Sequence, residues 1–506
     1  VQKQIAEARS ERQIFRVQNA AARPPRDLFL LLAVAYLALP NVIFLASWIR
    51  PIIGLPAALV VVGAVVWLVW STKLESPRRR LSSKMFGAVL AAAFLWTLVT
   101  GVGGVFPQSN DYFKHNLLFH DLATMSWPVK YSLEGGSSYL CYAMGYYLVP
   151  TLGGQCFGES VVAPLTFLWT FLGVALVFYW AATLTAAPVK TLSAILLCAM
   201  TGVVWAMFKS YGIPGIISAE GLGSDLMKDG LFFGYNDSYT RFSYQPQHAL
   251  IGWLGAAVMY ECLWLQKNPC GVAFIWALCL LWSPLTCVGL LLVPLAALGR
   301  GRWQSYFEPV NVLGGGVLAV VLGIYFQGHA VLPDTGFVGK FSDGTGWLFH
   351  YLLFLALNLS PVLFVWLVEW RLKVLGDGRR LLAASTILLI LLPLYKMGFA
   401  ADLRLQASSS ALLLFALAVA RLWQSEALVL KELLSIFLAV ALLIGAIGPT
   451  VGSAKNLLLN SNNCAYENIV LYTGWQHLPD MRDPGFDVAA QYLGRHGSLA
   501  ERMLLR

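Results

Sequence analysis

The sequence predicts an all-α polytopic membrane protein, and two observations carry that expectation. Of its 506 residues 58% are hydrophobic and only 12% are charged, where a soluble globular chain carries about 25% charge. Apolar runs of roughly 20 residues, each long enough to cross about 30 Å of hydrocarbon, recur from Leu28 almost to Ile447. A mean hydropathy of +0.66 over the chain agrees, and a water-soluble enzyme is excluded.

The elements follow in chain order. Residues 1–27 are polar and basic (Lys3, Arg9, Arg12, Arg16, Arg23, Arg26) and read as a cytoplasmic tail. The apolar segment behind it shows no cleavage site and reads as a retained helix that sets the orientation. Spans are expected near 28 to 48, 52 to 70, 85 to 105, 161 to 184, 192 to 208, 249 to 266, 310 to 327, 347 to 370, 381 to 397, 410 to 423 and 432 to 449. The stretch 271 to 298 is too long for one untilted span, too short for two full ones, and broken at Ser283-Pro284. Charge parity decides it. A single span puts Lys267 on the opposite face from Arg300 and Arg302, whereas a hairpin of two short helices puts them on the same face. The hairpin brings the total to about thirteen transmembrane segments.

With the N-terminus inside, most Lys and Arg fall on inner segments, including Arg78 to Arg80 and the group Arg371, Lys373, Arg379 and Arg380. The net charge of +9 is therefore a topology signal; nucleic acid is not an expected partner. The eight cysteines form no CxxC pair and lie mostly in apolar runs, so neither a disulfide framework nor a zinc site follows from them. This topology divides the chain into the 1–27 tail, a transmembrane domain at 28–449 and an outer-face tail at 450–506. Outer loops fall at 106 to 160, 209 to 248, 328 to 346 and 398 to 409. The C-terminal tail is too short for a large domain and is expected to pack on those loops. The aromatic stretch Tyr139 to Tyr147 reads as an interfacial or re-entrant helix.

Three constellations could carry chemistry. The first loop opens with Ser109-Asn110-Asp111-Tyr112-Phe113-Lys114-His115-Asn116 and continues to His120-Asp121. If 111 to 122 is helical, Asp111, Lys114 and His115 share one face and Asp121 lies on another turn, an arrangement suited to a base. The alternative is an interfacial helix whose charges face water. The second, Tyr244-Gln245-Pro246-Gln247-His248, precedes a span, where amides and an imidazole at a helix start offer donors to an anion; capping with a proline turn is the other reading. The third is Ala401-Asp402-Leu403-Arg404-Leu405-Gln406-Ala407-Ser408. Arg404 stands at or near membrane depth, where its fork suits phosphate or carboxylate, or an ion pair with Asp402. Under this topology all three face one side. The Gly-rich stretch Gly212 to Gly234, with Asp225, Lys228, Asp229, Asp237 and Arg241 in the same loop, suits a gate, and Asn236-Asp237-Ser238 fits a glycosylation sequon. Asp334 and Asp343 in the 328 to 346 loop could bind a metal, the other reading being loop acids that face water.

On these segments, and over roughly residues 85 to 450, the chain resembles the GT-C superfamily of membrane glycosyltransferases, in a poorly characterised bacterial branch. The short-helix hairpin and the outward tail resemble that superfamily too. The resemblance implies a hexosyl- or pentosyltransferase that moves a sugar from a polyprenyl-phosphate donor to an acceptor on the outer face of a bacterial inner membrane. Asp111 matches the family's catalytic base in the first large loop. His115, His120, Asp121, Gln247, His248 and Arg404 are the implied substrate-binding residues, with Arg404 and His248 on the leaving phosphate. His115, His120 or Asp121 would orient the base or hold a divalent cation, Mg or Mn; the sequence leaves the metal unassigned.

Membrane lipids and partner subunits are the other expected partners. The pattern departs from the family in three places: Asp111 follows Asn110 where many members pair two acids, the Trp-Trp-Asp acceptor motif is absent, and two extra helices before residue 85 are unlike a minimal member. A non-catalytic subunit of a larger complex, or a lipid or solute transporter, are the alternatives.

Overall fold

The computed structural model describes residues 28–71, 81–109, 111–133, 136–184, 235, 238–266, 269–299, 303–329, 335–341, 346–398, 402–424, 466–481 and 489–506. The expected spans 192–208 and 432–449 lie outside the described residues. So do the Gly-rich stretch, the 1–27 tail, Asp334, Asp343 and the Asn-Asp of the sequon.

The chain is mostly helical. In order, the helices are α1 (Leu28–Ser47), α2 (Pro51–Ser71), α3 (Ser83–Val99), α4 (Tyr112–Thr124), α5 (Leu148–Phe157), α6 (Val162–Thr183), α7 (Ser238–Tyr244), α8 (Pro246–Tyr260), α9 (Val272–Leu280), α10 (Pro284–Leu290), α11 (Leu292–Ala296), α12 (Gly316–Gln327), α13 (Gly346–Asn358), α14 (Ser360–Leu372), α15 (Gly378–Leu391), α16 (Asp402–Gln424) and α17 (Tyr466–Thr473). Among the described residues five helices are long and apolar enough to cross a membrane: Leu28–Ser47, Pro51–Trp70, Glu159–Thr183, Val310–Gln327 and Asp402–Trp423. The α13–α14 pair, bent at its break, makes a sixth if taken as one span. The outward faces agree: on α2, Leu59, Val62, Val66 and Trp70 form an exposed stripe, which lipid would solvate and water would not.

Local chemistry sets several boundaries. Ser82 caps α3 by accepting the Met85 N–H at 3.3 Å. The chain leaves α3 through Gly101 at φ 80, where a Cβ would run into the Pro107 carbonyl. At the hairpin, Ser283 caps α10 through the Thr286 N–H, and Trp276 Nε1 donates to the Cys287 carbonyl at 2.9 Å. A straight helix would hold those two residues about 16 Å apart, so the helix breaks and turns at Ser283-Pro284, where the proline break is expected.

Two expectations are corrected. The stretch 398 to 409, read as a loop, is helical from Asp402 onward. Its small residues explain this: a Cβ on Gly289 of α10 would collide with the Ala407 carbonyl, and one on Gly252 of α8 with the Ser409 side chain. Close approach through small residues is the usual way helices pack in membranes. The second correction concerns Tyr139 to Tyr147, which is no helix.

Tyr139 and Leu140 end strand β2 (Gly136–Leu140), which pairs antiparallel with β1 (Lys130–Leu133), and turns lead on to α5 at Leu148. A second small sheet joins β3 (Gly336–Phe337) to β4 (Tyr395–Lys396). The strand β5 (Leu493–Gly494) then pairs with β2, Tyr139 opposite Gly494 and Leu140 opposite Leu493. The C-terminal tail therefore packs on the 106–160 segment. It also closes the α1–α2 turn, where the Arg50 N–H donates to the Leu504 carbonyl at 2.7 Å and Arg506 Nη2 to the Ala46 carbonyl at 2.6 Å. The described cysteines (Cys141, Cys156, Cys262, Cys270, Cys279 and Cys287) are free thiols.

Candidate functional site

The site begins where the chain enters α4. Ser109 Oγ donates to the Ser243 carbonyl at 2.7 Å and ties this entry to α7. Asp111 occupies the cap position with helical backbone angles and makes no side-chain cap bond. Its carboxylate instead accepts from Lys114 Nζ at 2.7 Å, one turn along, with the two side chains 30% and 16% exposed respectively. Asp111 and Lys114 therefore share a face as expected, while His115 turns to the buried side.

His115 points inward and is buried. Its Nε2 lies 2.8 Å from the Tyr244 carbonyl and its Nδ1 2.6 Å from the Tyr147 hydroxyl. A carbonyl only accepts, so Nε2 carries the proton and Nδ1 accepts from Tyr147 in the neutral ring. Burial, reinforced by the Lys114 charge, lowers the His115 pKa to about 4.

A polar network runs from this face into the helix bundle. Lys114 is within electrostatic reach of Tyr142 and Tyr492, whose rings meet edge to face at 4.6 Å. Gln247 Nε2 lies 3.4 Å from the Tyr142 hydroxyl and 3.2 Å from His248 Nε2. His248 Nδ1 lies 2.7 Å from Ser283 Oγ, the hairpin cap, which is 3.3 Å from Gln406 Oε1 on α16. Arg241 donates to the hydroxyls of Ser408 and Ser409 on the same helix. Arg404, one turn before Ser408, is buried and lies within electrostatic reach of Asp402 and Tyr235. Asp402 feels the charges of Lys114, Asp111 and Arg404 together.

Asp111, His115, Gln247, His248 and Arg404, drawn from three separate segments, thus belong to one polar neighbourhood. His120 and Asp121 do not. They sit at the other end of α4, about 15 Å along the helix, and face Glu159 and the tail residue His477.

Sequence reasoning missed Tyr142, Tyr492, Glu159 and His477. For His477 a signal existed: Asp480 caps the turn three residues later, accepting the His477 N–H at 2.9 Å. The donors beside Asp111 do not suit Mg or Mn, which take carboxylate and water oxygens. Asp111 is already neutralised by an ammonium, and both His115 nitrogens are engaged.

Comparison with family models, with curated proteins and with solved structures gave no match for this chain.

Proposed function

We propose that the chain is a GT-C-like glycosyltransferase that moves a sugar from a polyprenyl-phosphate donor to an acceptor hydroxyl, with Asp111 as the base. One observation carries this reading. Asp111 is a partly exposed carboxylate at the edge of a polar cluster whose other members, Gln247, His248 and Arg404, are buried. An acid that solvent and acceptor can reach, backed by cations on two elements, is what the reaction needs.

In the proposed step the acceptor O–H gives its proton to the Asp111 carboxylate while its oxygen bonds to the anomeric carbon. The bond from that carbon to the phosphate oxygen breaks, and its electron pair leaves on the phosphate. General-base action supplies about 10² to 10⁴-fold of the rate; the rest falls to positioning and to charge stabilisation by Lys114 and Arg404. Neutral His115 holds the start of α4 against Tyr147 and the Tyr244 carbonyl. No step runs through a metal. The proposal keeps the expected topology: about thirteen segments in a bacterial inner membrane, the N-terminus in the cytoplasm, and the 106–160 segment and the C-terminal tail outside.

A second reading, a non-catalytic subunit of a larger membrane complex, is favoured by the Asp111–Lys114 ion pair, since paired structural charges are what it requires. The experiment that separates the two is transfer of a labelled sugar from a polyprenyl-phosphate donor by the purified protein in lipid, wild type against Asp111→Asn. Loss of transfer with an intact fold supports the base. Co-purification of a stoichiometric partner, with no transfer by the wild type, supports the subunit.

A further inference from the structure

At the far end of α4, His120, Asp121 and His477 each offer a ligand atom, and these atoms all lie within 4.8 Å of one another. We propose that the three side chains bind one divalent transition-metal ion of the zinc class, which fastens the C-terminal tail to α4. The site is separate from the Asp111 neighbourhood and does not rest on the glycosyltransferase reading.

The arrangement around each residue supports this. Asp121 is fully buried, and its Oδ2 accepts from the Tyr131 hydroxyl at 2.8 Å and the Leu478 N–H at 3.0 Å. Those two bonds orient the carboxylate so that Oδ1 faces His477 Nδ1, 2.7 Å away and 356 residues distant in sequence. On His120, Nδ1 lies 2.6 Å from Glu159 Oε1. A carboxylate only accepts, so Nδ1 carries the proton and Nε2 is the nitrogen with metal-binding character.

A carboxylate behind a histidine, and hydrogen bonds behind a carboxylate, are the outer supports that metal ligands generally have. His477 is held from behind as well: Asp480 Oδ2 accepts the Gln476 and His477 N–H groups, each at 2.9 Å. The two imidazole rings lie 6.1 Å apart. The His477 side chain is 44% exposed, which leaves an entry path for the ion.

The donor chemistry selects the metal. Two imidazoles and one carboxylate match the three-ligand zinc sites that keep a fourth position for water, and they do not suit the all-oxygen shells of Mg or Ca. A tetrahedral ion with arms of about 2.0–2.1 Å spaces its donors by roughly 3.4 Å, so shifts of about 1 Å close the site. A plain ion pair between His477 and Asp121 leaves unexplained why His120 stands beside it with a carboxylate of its own. This ion is softer than the Mg or Mn that the resemblance allows at His115, His120 or Asp121.

The test uses the full-length protein in lipid nanodiscs, stripped with a chelator and titrated with Zn²⁺ alone, with Co²⁺ as the spectroscopic probe. The expected result is one equivalent bound, visible cobalt bands of a four- or five-coordinate site, and slower hydrogen exchange at 466–481 when metal is present. His120→Ala and His477→Ala should each abolish stoichiometric binding. Glu159→Gln, which touches no metal, should weaken binding by about 10- to 100-fold. If the wild type binds neither ion stoichiometrically, or if the histidine variants bind as the wild type does, the proposal fails. The wild-type titration decides even if a variant does not fold.

Discussion

Asp111 and Lys114 form an ion pair across one turn of α4, 2.7 Å apart, and the carboxylate is the more exposed partner. The Lys114 charge also reaches Asp402 on α16, so this pair connects the first large loop to a helix almost 300 residues later in the sequence. Substitutions along that connection should report on it in distinguishable ways.

His115 gives a pH signature. Its folded pKa is lowered to about 4, whereas the unfolded ring titrates near 6.5. Between those values the unfolded chain binds more protons, so the contribution is present above pH 6.5 and is lost as pH falls toward 4. Thermal melts at pH 7, 5.5 and 4.5 should show falling stability. In His115→Gln the fall over that window should be shallower.

Glu369 is the structural counterpart. Fully buried, it accepts the Leu375 N–H at 2.9 Å and two Arg379 donors at 3.1 and 2.8 Å. Glu369→Ala strips those donors of their acceptor and should cost about 1–3 kcal/mol. Arg379→Ala should cost at least as much, because it leaves the fully buried Glu369 carboxylate without its cation, whereas the 45% exposed guanidinium left by Glu369→Ala can be solvated by water. Denaturant unfolding of the two variants in one detergent compares them directly.

Glycine contacts divide just as cleanly. A Cβ on Gly289 meets the backbone carbonyl of Ala407, which cannot step aside, whereas one on Gly87 of α3 meets nothing within 4 Å. Gly289→Ala should destabilise by about 1–3 kcal/mol. Gly87→Ala should be neutral or slightly stabilising, since alanine is the better helix former. A melting temperature for Gly289→Ala equal to that of the wild type would contradict the close α10–α16 packing.

These contrasts show what the sequence carries and what it does not. Apolar length alone marks α1, α2, α6 and the span Val310–Gln327 within a few residues, and Ser283-Pro284 marks the break between α9 and α10, because both signals are local. The pairing of Asp111 with Lys114 on α4 was legible for the same reason: helical spacing fixes it. The start of α16 at Asp402 was not, because the polar stretch up to Ser409 reads as loop until the glycines that Ala407 and Ser409 pack on are known. The pairing of Tyr139 with Gly494, and of Asp121 with His477, joins positions about 355 residues apart; such contacts leave no periodicity behind.

The central claim is that Asp111 acts as the base, and the most direct measurement is glycosyl transfer by purified Asp111→Asn in lipid beside the wild type. The substitution keeps size and polarity and removes the proton acceptor. Turnover is predicted to fall by about 10² to 10⁴-fold, while the melting temperature barely moves, because a partly exposed ion pair contributes about 1 kcal/mol or less. Turnover in Asp111→Asn equal to that of the wild type would contradict the assignment.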